Sequence, residues 1–439
     1  MLAYMRKVVS FVLSLIFLCT PLTASAMGFE EERTIAREII TLLDSQGLIV
    51  YDQEITWPVK MVTDRLADHV KDPIYTFQVH VVMDKSINAF AIPDGHIFVN
   101  IGTILFARDI DELAAVIGHE MGHAQLRHIP ETIKEQKKIT AMSIAGMILG
   151  TLVSSKNPQV GSAMVLSSLG GGENIKLAHS RRYENEADEF GNDLMRASGF
   201  SPSAMNRFLV RLGPFSGGAN IPEYLLTHPH ITNRLSATSP DIPNPQPDEH
   251  YWTLYASTAG LVLPEEEAVQ RAQGIPDPYR RLALGLAETR KGRHEEAPRH
   301  LNGLDLPRAY AYKGLNLAMA GKKDEAYPYL KKYGNSARTR IVLAEIMEER
   351  GEFDEAVSLL APYQKQNIQV DYKLGLLYEK SSKQALSHVS FARYFFKTGK
   401  YKASIYHIDQ ALKQEKEIDV TVAEELKEMK KLVGKLEKP

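Results

Sequence analysis

The run His119-Glu120-Met121-Gly122-His123 constrains this chain more than any other feature, because its spacing is that of one helix turn. Residues i and i+4 lie on one face of a helix, so both imidazoles can reach a single cation. Glu120 projects beside that point, where a carboxylate can take a proton from an attacking water. The surroundings support a helix: from Asp109 to His128, Leu113, Ala114, Val116, Ile117 and Met121 recur at helical spacing. Five residues with three fixed positions also arise by chance, as two surface histidines on an ordinary helix, so the motif needs support elsewhere in the chain.

The beginning of the chain reads as a separate object. Arg6 and Lys7 precede an apolar run from Val8 to Cys19, about a dozen residues and too short to span a bilayer comfortably. Ala24-Ser25-Ala26 then supplies the small-x-small pattern at which a signal peptidase cuts, so residues 1–26 are expected to be a secretory signal removed after Ala26. An uncleaved anchor is the alternative. A lipoprotein signal is disfavoured, since Ile16-Phe17-Leu18 before Cys19 lacks the small residues it requires. Of 52 basic residues, removal of Arg6 and Lys7 leaves 50 against 54 acidic ones, a balance without the basic excess that nucleic acid demands. Cys19 is the single cysteine, so the remainder holds no thiol for a disulfide or a nucleophile, and cysteine-protease chemistry is excluded.

Along the 439 residues, two helices are expected at Glu31–Leu43 and Pro58–Val70, then strands at Phe77–Val81 and His96–Val99 with turn chemistry at Pro93-Asp94-Gly95. His80 and His96 fall on those strand patterns, facing solvent or core. His128, about 180° round the helix from His119, is expected to be structural. Residues 139–153 and 160–169 are apolar and uncharged but short. They read as a buried or flexible helical hairpin, or alternatively as a membrane-surface contact or a plug over 139–169. Pro240, Pro243, Pro245 and Pro247 mark a linker at 239–250 between a domain at 27–238 and another at 251–439.

In the second domain a pattern recurs. Gly292 begins GRHEEA, Gly321 GKKDEA, Gly351 GEFDEA and Gly399 GKYKAS, with a small residue five positions after each glycine. Steps of 29, 30 and 48 residues bracket the 34-residue helix-turn-helix period, with one repeat enlarged. The pattern resembles the tetratricopeptide repeat over roughly 278–415, with 420–436 as a cap. An unrelated array of helical hairpins would give a similar solenoid with a groove.

Two histidines leave a catalytic zinc one protein ligand short. A candidate stretch follows at Ser180-Arg181-Arg182-Tyr183-Glu184-Asn185-Glu186-Ala187-Asp188. HExxH followed by E-x-x-A-D resembles the gluzincin peptidases of the HtpX heat-shock and CAAX prenyl protease family. The resemblance implies Glu184 as third ligand to one Zn²⁺ with His119 and His123, and Glu120 as the catalytic base. It places Asp188 one turn later, where it would accept a hydrogen bond from a ligand imidazole. Glu186, about 200° away on the same helix, is disfavoured as the ligand. Asn88-Ala89-Phe90-Ala91 with Pro93-Asp94-Gly95 resembles the family segment that leads into the cleft-lining strand, which makes Asn88, Ala89 and Phe90 substrate-binding candidates. Asp94 departs from the family's glycine, so the turn is expected to differ. Thr227-His228-Pro229 with Arg234 resembles a further family segment, which implies His228 as an inhibitory extra ligand. Transition-state support and plain loop structure are its alternatives.

The expected fold class is therefore α+β and mainly helical, a gluzincin-type domain with a small sheet followed by an all-α repeat solenoid. A signal segment, such a domain and such repeats together resemble the periplasmic protease-chaperones of outer-membrane assembly in Gram-negative bacteria. That resemblance implies a zinc endopeptidase of the periplasm, free there or peripheral to the membrane. Its substrates would be unfolded or misassembled envelope proteins, with the assembly machinery contacting the repeat groove and no nucleic acid involved. A chaperone or scaffold with a largely shut site is the competing expectation.

Overall fold

The computed structural model describes residues 28–135, 181–215, 222–228, 248–364 and 367–436. The expectations for the signal segment, for 139–169, for Arg234 and for most of the proline-rich linker lie outside those residues. The architecture is α+β and mainly helical. Among the described residues no helix is long and apolar enough to cross a membrane.

A four-stranded sheet is built from β1 (Ile49–Val50), β2 (Gln78–Val82), β3 (Ala89–Ile92) and β4 (His96–Asn100), in the order β1-β2-β4-β3. β2 and β4 run parallel, while β1 and β3 flank them antiparallel. Between β3 and β4 the chain turns on Asp94 and Gly95, with φ of 67° and 76°. Gly95 is required there, since a Cβ would stand 2.6 Å from Cβ of Tyr75. Asp94 tolerates that conformation because a short polar side chain enters the left-handed region more readily than most.

The first helix extends further at both ends than its periodicity suggested, and the second starts five residues before Pro58 and ends three before Val70. α1 runs Phe29–Ser45, and α2 runs Gln53–Ala67, with Asp52 capping its start by accepting the Glu54 N–H at 3.1 Å. Pro58 lies inside α2 and has no N–H for the carbonyl four residues earlier, that of Glu54. The Arg308 guanidinium donates to that carbonyl instead, at 2.8 Å. α3 (Ile101–Phe106) and α4 (Ile110–Gln125) follow the sheet. Asp109 caps α4, its side chain accepting from the Glu112 N–H at 2.8 Å. The helix expected to reach His128 stops at Gln125: Arg127 has φ of 55°, and a new helix α5 (His128–Glu135) sets off in another direction. α6 (Arg181–Ala197), α7 (Ala204–Leu212) and the one-turn α8 (Glu223–Thr227) complete this half.

The second half is helical throughout its described residues. After α9 (Glu249–Val262) and α10 (Glu265–Ala272) come four hairpins: α11 (Tyr279–Arg290) with α12 (Ala297–Leu301), α13 (Pro307–Met319) with α14 (Lys323–Tyr333), α15 (Ala337–Glu349) with α16 (Phe353–Leu360), and α17 (Ile368–Lys380) with α18 (Gln384–Lys397). α19 (Tyr401–Lys413) and α20 (Val420–Leu436) follow. Gly292, Gly321, Gly351 and Gly399 all have positive φ, and Ala297, Ala326, Ala356 and Ser404 are all buried. The 48-residue step is not an enlarged repeat. Ser382, with φ of 60°, turns the chain between α17 and α18 and is followed five residues later by the buried Ser387.

One apolar core runs from Val50 and Val59 through Tyr251 and Leu254 of α9 to Leu374 and Leu377 of α17. A second gathers Val389, Ile408 and Leu426 from α18–α20. The two sides of the proline-rich stretch thus share buried surface, reinforced by Arg338 on Asp52 at 2.9 Å and the Ala337 N–H on Gln53 at 2.6 Å.

Candidate metal centre

The centre begins with two backbones that come unusually close. Gly118 and Gly122 of α4 face Gly191 and Ala187 of α6, and a Cβ on Gly122 would lie 2.9 Å from Cα of Ala187 and 3.0 Å from its carbonyl oxygen. A Cβ on Gly191 would lie 3.2 Å from the backbone nitrogen of His119. Small residues one turn apart on both helices therefore let the axes approach, which carries the longer side chains beside them into one pocket.

There the ligand-type atoms of His119, His123, Glu184 and His228 all lie within 4.8 Å of one another, and all four residues are buried. Nε2 of His119 stands 3.1 Å from Nε2 of His123, 3.4 Å from Nδ1 of His228 and 3.6 Å from Oε2 of Glu184. Oε1 of Glu184 is 3.4 Å from His123 and 3.1 Å from His228. Glu120, fully buried, has Oε1 3.4 Å from Nε2 of His228. Burial opposes the charge on Glu184, but the imidazoles of His228, His123 and His119 outweigh it and hold its carboxyl far below the usual range.

His228 arrives from α8, a segment fastened at several points. The Tyr224 N–H donates to Ile87 at 3.0 Å, Ser86 donates to Glu223 at 3.0 Å, and Thr227 Oγ1 lies 3.5 Å from Oδ1 of Asn88. The buried Tyr224 ring lies against His228 at 4.6 Å and against Phe208 of α7 at 5.7 Å. Asn88 and Ala89 are buried, so Asn88 braces α8, while the half-buried Phe90 stacks on Phe98 at 5.0 Å. Among the described residues β3 lies at an edge of the sheet, paired on one side with β4.

Behind the centre, Oδ1 of Asp188 is 2.9 Å from Nδ1 of His119. Glu186 is outside the cluster and reaches His128 at 3.1 Å. Sequence reasoning missed the position of His128: angles round α4 do not apply to it, because it belongs to α5, and its Nδ1 is 3.0 Å from Nδ1 of His123. Burial pushes the His128 imidazolium down, with Glu186 opposing. The helix-packing glycines were also missed. Their signal, small residues four apart at 118/122 and 187/191, was present in the sequence.

Three imidazoles and one carboxylate form a donor set suited to zinc. Contacts of 3.1–3.6 Å among them, made with both oxygens of Glu184, are near the edge of a ligand tetrahedron with bonds of about 2.0–2.1 Å, roughly 3.3 Å, and the whole set lies within 4.8 Å. The residues present fit such an ion.

Residues 56–240 match peptidase family M48. Over 213 residues the chain is 27% identical to the beta-barrel assembly-enhancing protease of Yersinia pestis, which covers 48% of this chain and 44% of the relative. The metalloprotease LoiP of Escherichia coli strain K12 is 27% identical over 226 residues, 49% of this chain and 84% of the relative. The mitochondrial metalloendopeptidase OMA1 of Arabidopsis thaliana is 34% identical over 154 residues, 35% of this chain and 29% of the relative. The chain thus spans less than half the length of the beta-barrel assembly-enhancing protease it matches. The similarity to peptidase family M48 covers residues 56–240, and all four clustered side chains lie within that span.

Proposed function

We propose that this chain is a zinc-dependent endopeptidase of the periplasm that acts on unfolded or misassembled envelope proteins. The observation that carries the reading is the convergence of His119, His123, Glu184 and His228 beside the buried Glu120, inside the span that matches family M48. His119, His123 and Glu184 would hold one zinc ion per chain, and such an ion would supply Lewis-acid polarisation of a scissile carbonyl and a more acidic attacking water. Glu120 takes that water's proton and passes it to the leaving amine. Asp188 holds the His119 ring in place through Nδ1. An extended substrate lies along the outer edge of β3, near Asn88, Ala89 and Phe90, where main-chain groups can pair with it. Zinc-loaded Glu120→Gln should keep its fold and metal while losing about a hundredfold or more of its cleavage of an unfolded protein. Near-normal cleavage would remove Glu120 from the mechanism.

The setting rests on the relatives' name and on the sequence patterns. The signal segment at 1–26 directs export. Repeats of tetratricopeptide type at 251–439, beyond the linker, offer a groove to clients or to the outer-membrane assembly machinery. One observation favours a second, compatible reading. His228 occupies the position of a fourth protein ligand, and a site closed that way is latent until α8 moves. The repeat half would then serve as a chaperone or scaffold while the peptidase site stays shut.

A further inference from the structure

The kink that ends α4 sets up a second line of contacts behind the cluster. Arg127, with φ of 55°, is paired with Glu32 of α1, and its guanidinium lies 4.9 Å over the Phe29 ring. The chain turns there and folds His128, the first residue of α5, back against His123. His128 is buried and lies flat on the Tyr183 ring of α6, with centroids 4.3 Å apart. Its Nδ1 is 3.0 Å from Nδ1 of His123, and its Nε2 is 3.1 Å from Oε2 of Glu186.

If the zinc reading above holds, on which this inference rests, these contacts admit one arrangement of protons. Nε2 of His123 is the nitrogen that faces His119 and Glu184. It offers its lone pair to the ion, so Nδ1 carries the proton and donates. Nδ1 of His128 must then accept, which places the His128 proton on Nε2, where the Glu186 carboxylate receives it. Any other assignment sets two protons or two lone pairs against each other. On the opposite side Asp188 does the same for His119 in a single step.

We infer that His128 and Glu186 are positioning residues, an imidazole–carboxylate relay that fixes the tautomer and ring orientation of His123. The relay joins α4, α5 and α6 at one point and ends at the surface, where the half-exposed Glu186 is 3.7 Å from Arg182. It also explains how one stretch of α6 serves the centre three ways: Glu184 faces inward, Asp188 braces His119 directly, and Glu186 braces His123 through His128.

The test is zinc affinity, measured on metal-free protein by competition with a chromophoric chelator, with the metal-free melting temperature recorded for each variant. His128→Phe keeps a ring on Tyr183 and removes both nitrogens. It should raise the zinc dissociation constant by about 10–100-fold while the metal-free protein melts near the wild-type temperature. His128→Gln, whose amide can both accept and donate, should recover most of the affinity, whereas a role in packing alone would favour the phenylalanine. Glu186→Gln should weaken binding by about tenfold, the low end of the same range, and it decides the matter if His128→Phe does not fold. Wild-type affinity in folded His128→Phe, or in Glu186→Gln, would overturn the relay. His123→Ala is measured alongside: if it too binds zinc like wild type, the failure belongs to the metal-site reading.

Discussion

At the scale of single residues, His228 carries the most open chemistry. Its Nδ1 lies among the ligand atoms and its Nε2 faces Glu120, so it can either close the site or assist the reaction. The two roles differ in sign. If His228 holds the enzyme latent, zinc-loaded His228→Ala should cleave an unfolded substrate, or itself, faster than wild type. If it stabilises the developing oxyanion, the same variant should be slower by about a hundredfold or more. A single rate comparison on matched zinc-loaded proteins separates them, and a slower variant ends the latency reading. The convergence of His119, His123 and Glu184 was legible because helical spacing and the resemblance to a family motif pointed to it. His128 was not, because its position depends on Arg127 adopting a left-handed conformation that its residue type does not announce. That conformation is stabilised from outside the segment, by Glu32 and Phe29 of α1.

At the scale of elements, the close packing of α4 on α6 is what assembles the centre. Gly122→Val would drive a branched side chain into the Ala187 backbone. It should cost about 3 kcal/mol, the upper part of the range for overpacking, and should weaken zinc binding as the helices separate. Gly434→Ala makes the contrast: nothing stands within 4 Å of its added Cβ on α20, so it should gain about 0.5–1 kcal/mol. Thermal or denaturant unfolding of the metal-free proteins checks both, and equal stability of Gly122→Val and wild type would contradict the packing account. Periodicity located α1, α2 and α4, whose apolar faces are buried, but it misjudged their ends. α2 starts ahead of Pro58 because Asp52 caps it and Arg308 takes up the carbonyl the proline leaves, a partner about 250 residues away in sequence. β1 was not foreseen, since two residues carry no alternation to read. The turn at Ser382 was hidden for a similar reason: a search for glycines passes over a serine with φ of 60°.

At the scale of the whole molecule, the two halves bear on each other through α2 and the helices that follow α9. Arg308 is the clearest link. Its guanidinium donates to the Glu54 carbonyl at 2.8 Å and to Ser257 at 2.7 Å, and pairs with the Glu54 carboxylate at 2.8 Å. Burial pushes the Glu54 carboxyl up, and Arg308 opposes that shift. Arg308→Ala would leave a buried carboxylate and a helix carbonyl without this donor, so it should lose about 3–5 kcal/mol in denaturant unfolding. A loss below about 0.5 kcal/mol would show the contact to be dispensable. The repeating glycines made the helical array legible. The shared core was not, because apolar residues facing another half of the chain look the same in sequence as those facing their own.

The proposed peptidase depends above all on an ion at the meeting point of α4, α6 and α8. The most direct measurement is zinc content per chain by elemental analysis after dialysis, for wild type, Glu184→Ala and Glu186→Ala. The cluster predicts one zinc per wild-type chain and clear loss in Glu184→Ala. Glu186→Ala should retain zinc, with affinity weakened by no more than about a hundredfold. Tight retention by Glu184→Ala together with loss from Glu186→Ala would contradict the ligand set, and a wild-type chain that holds no zinc after loading would contradict the metal centre itself.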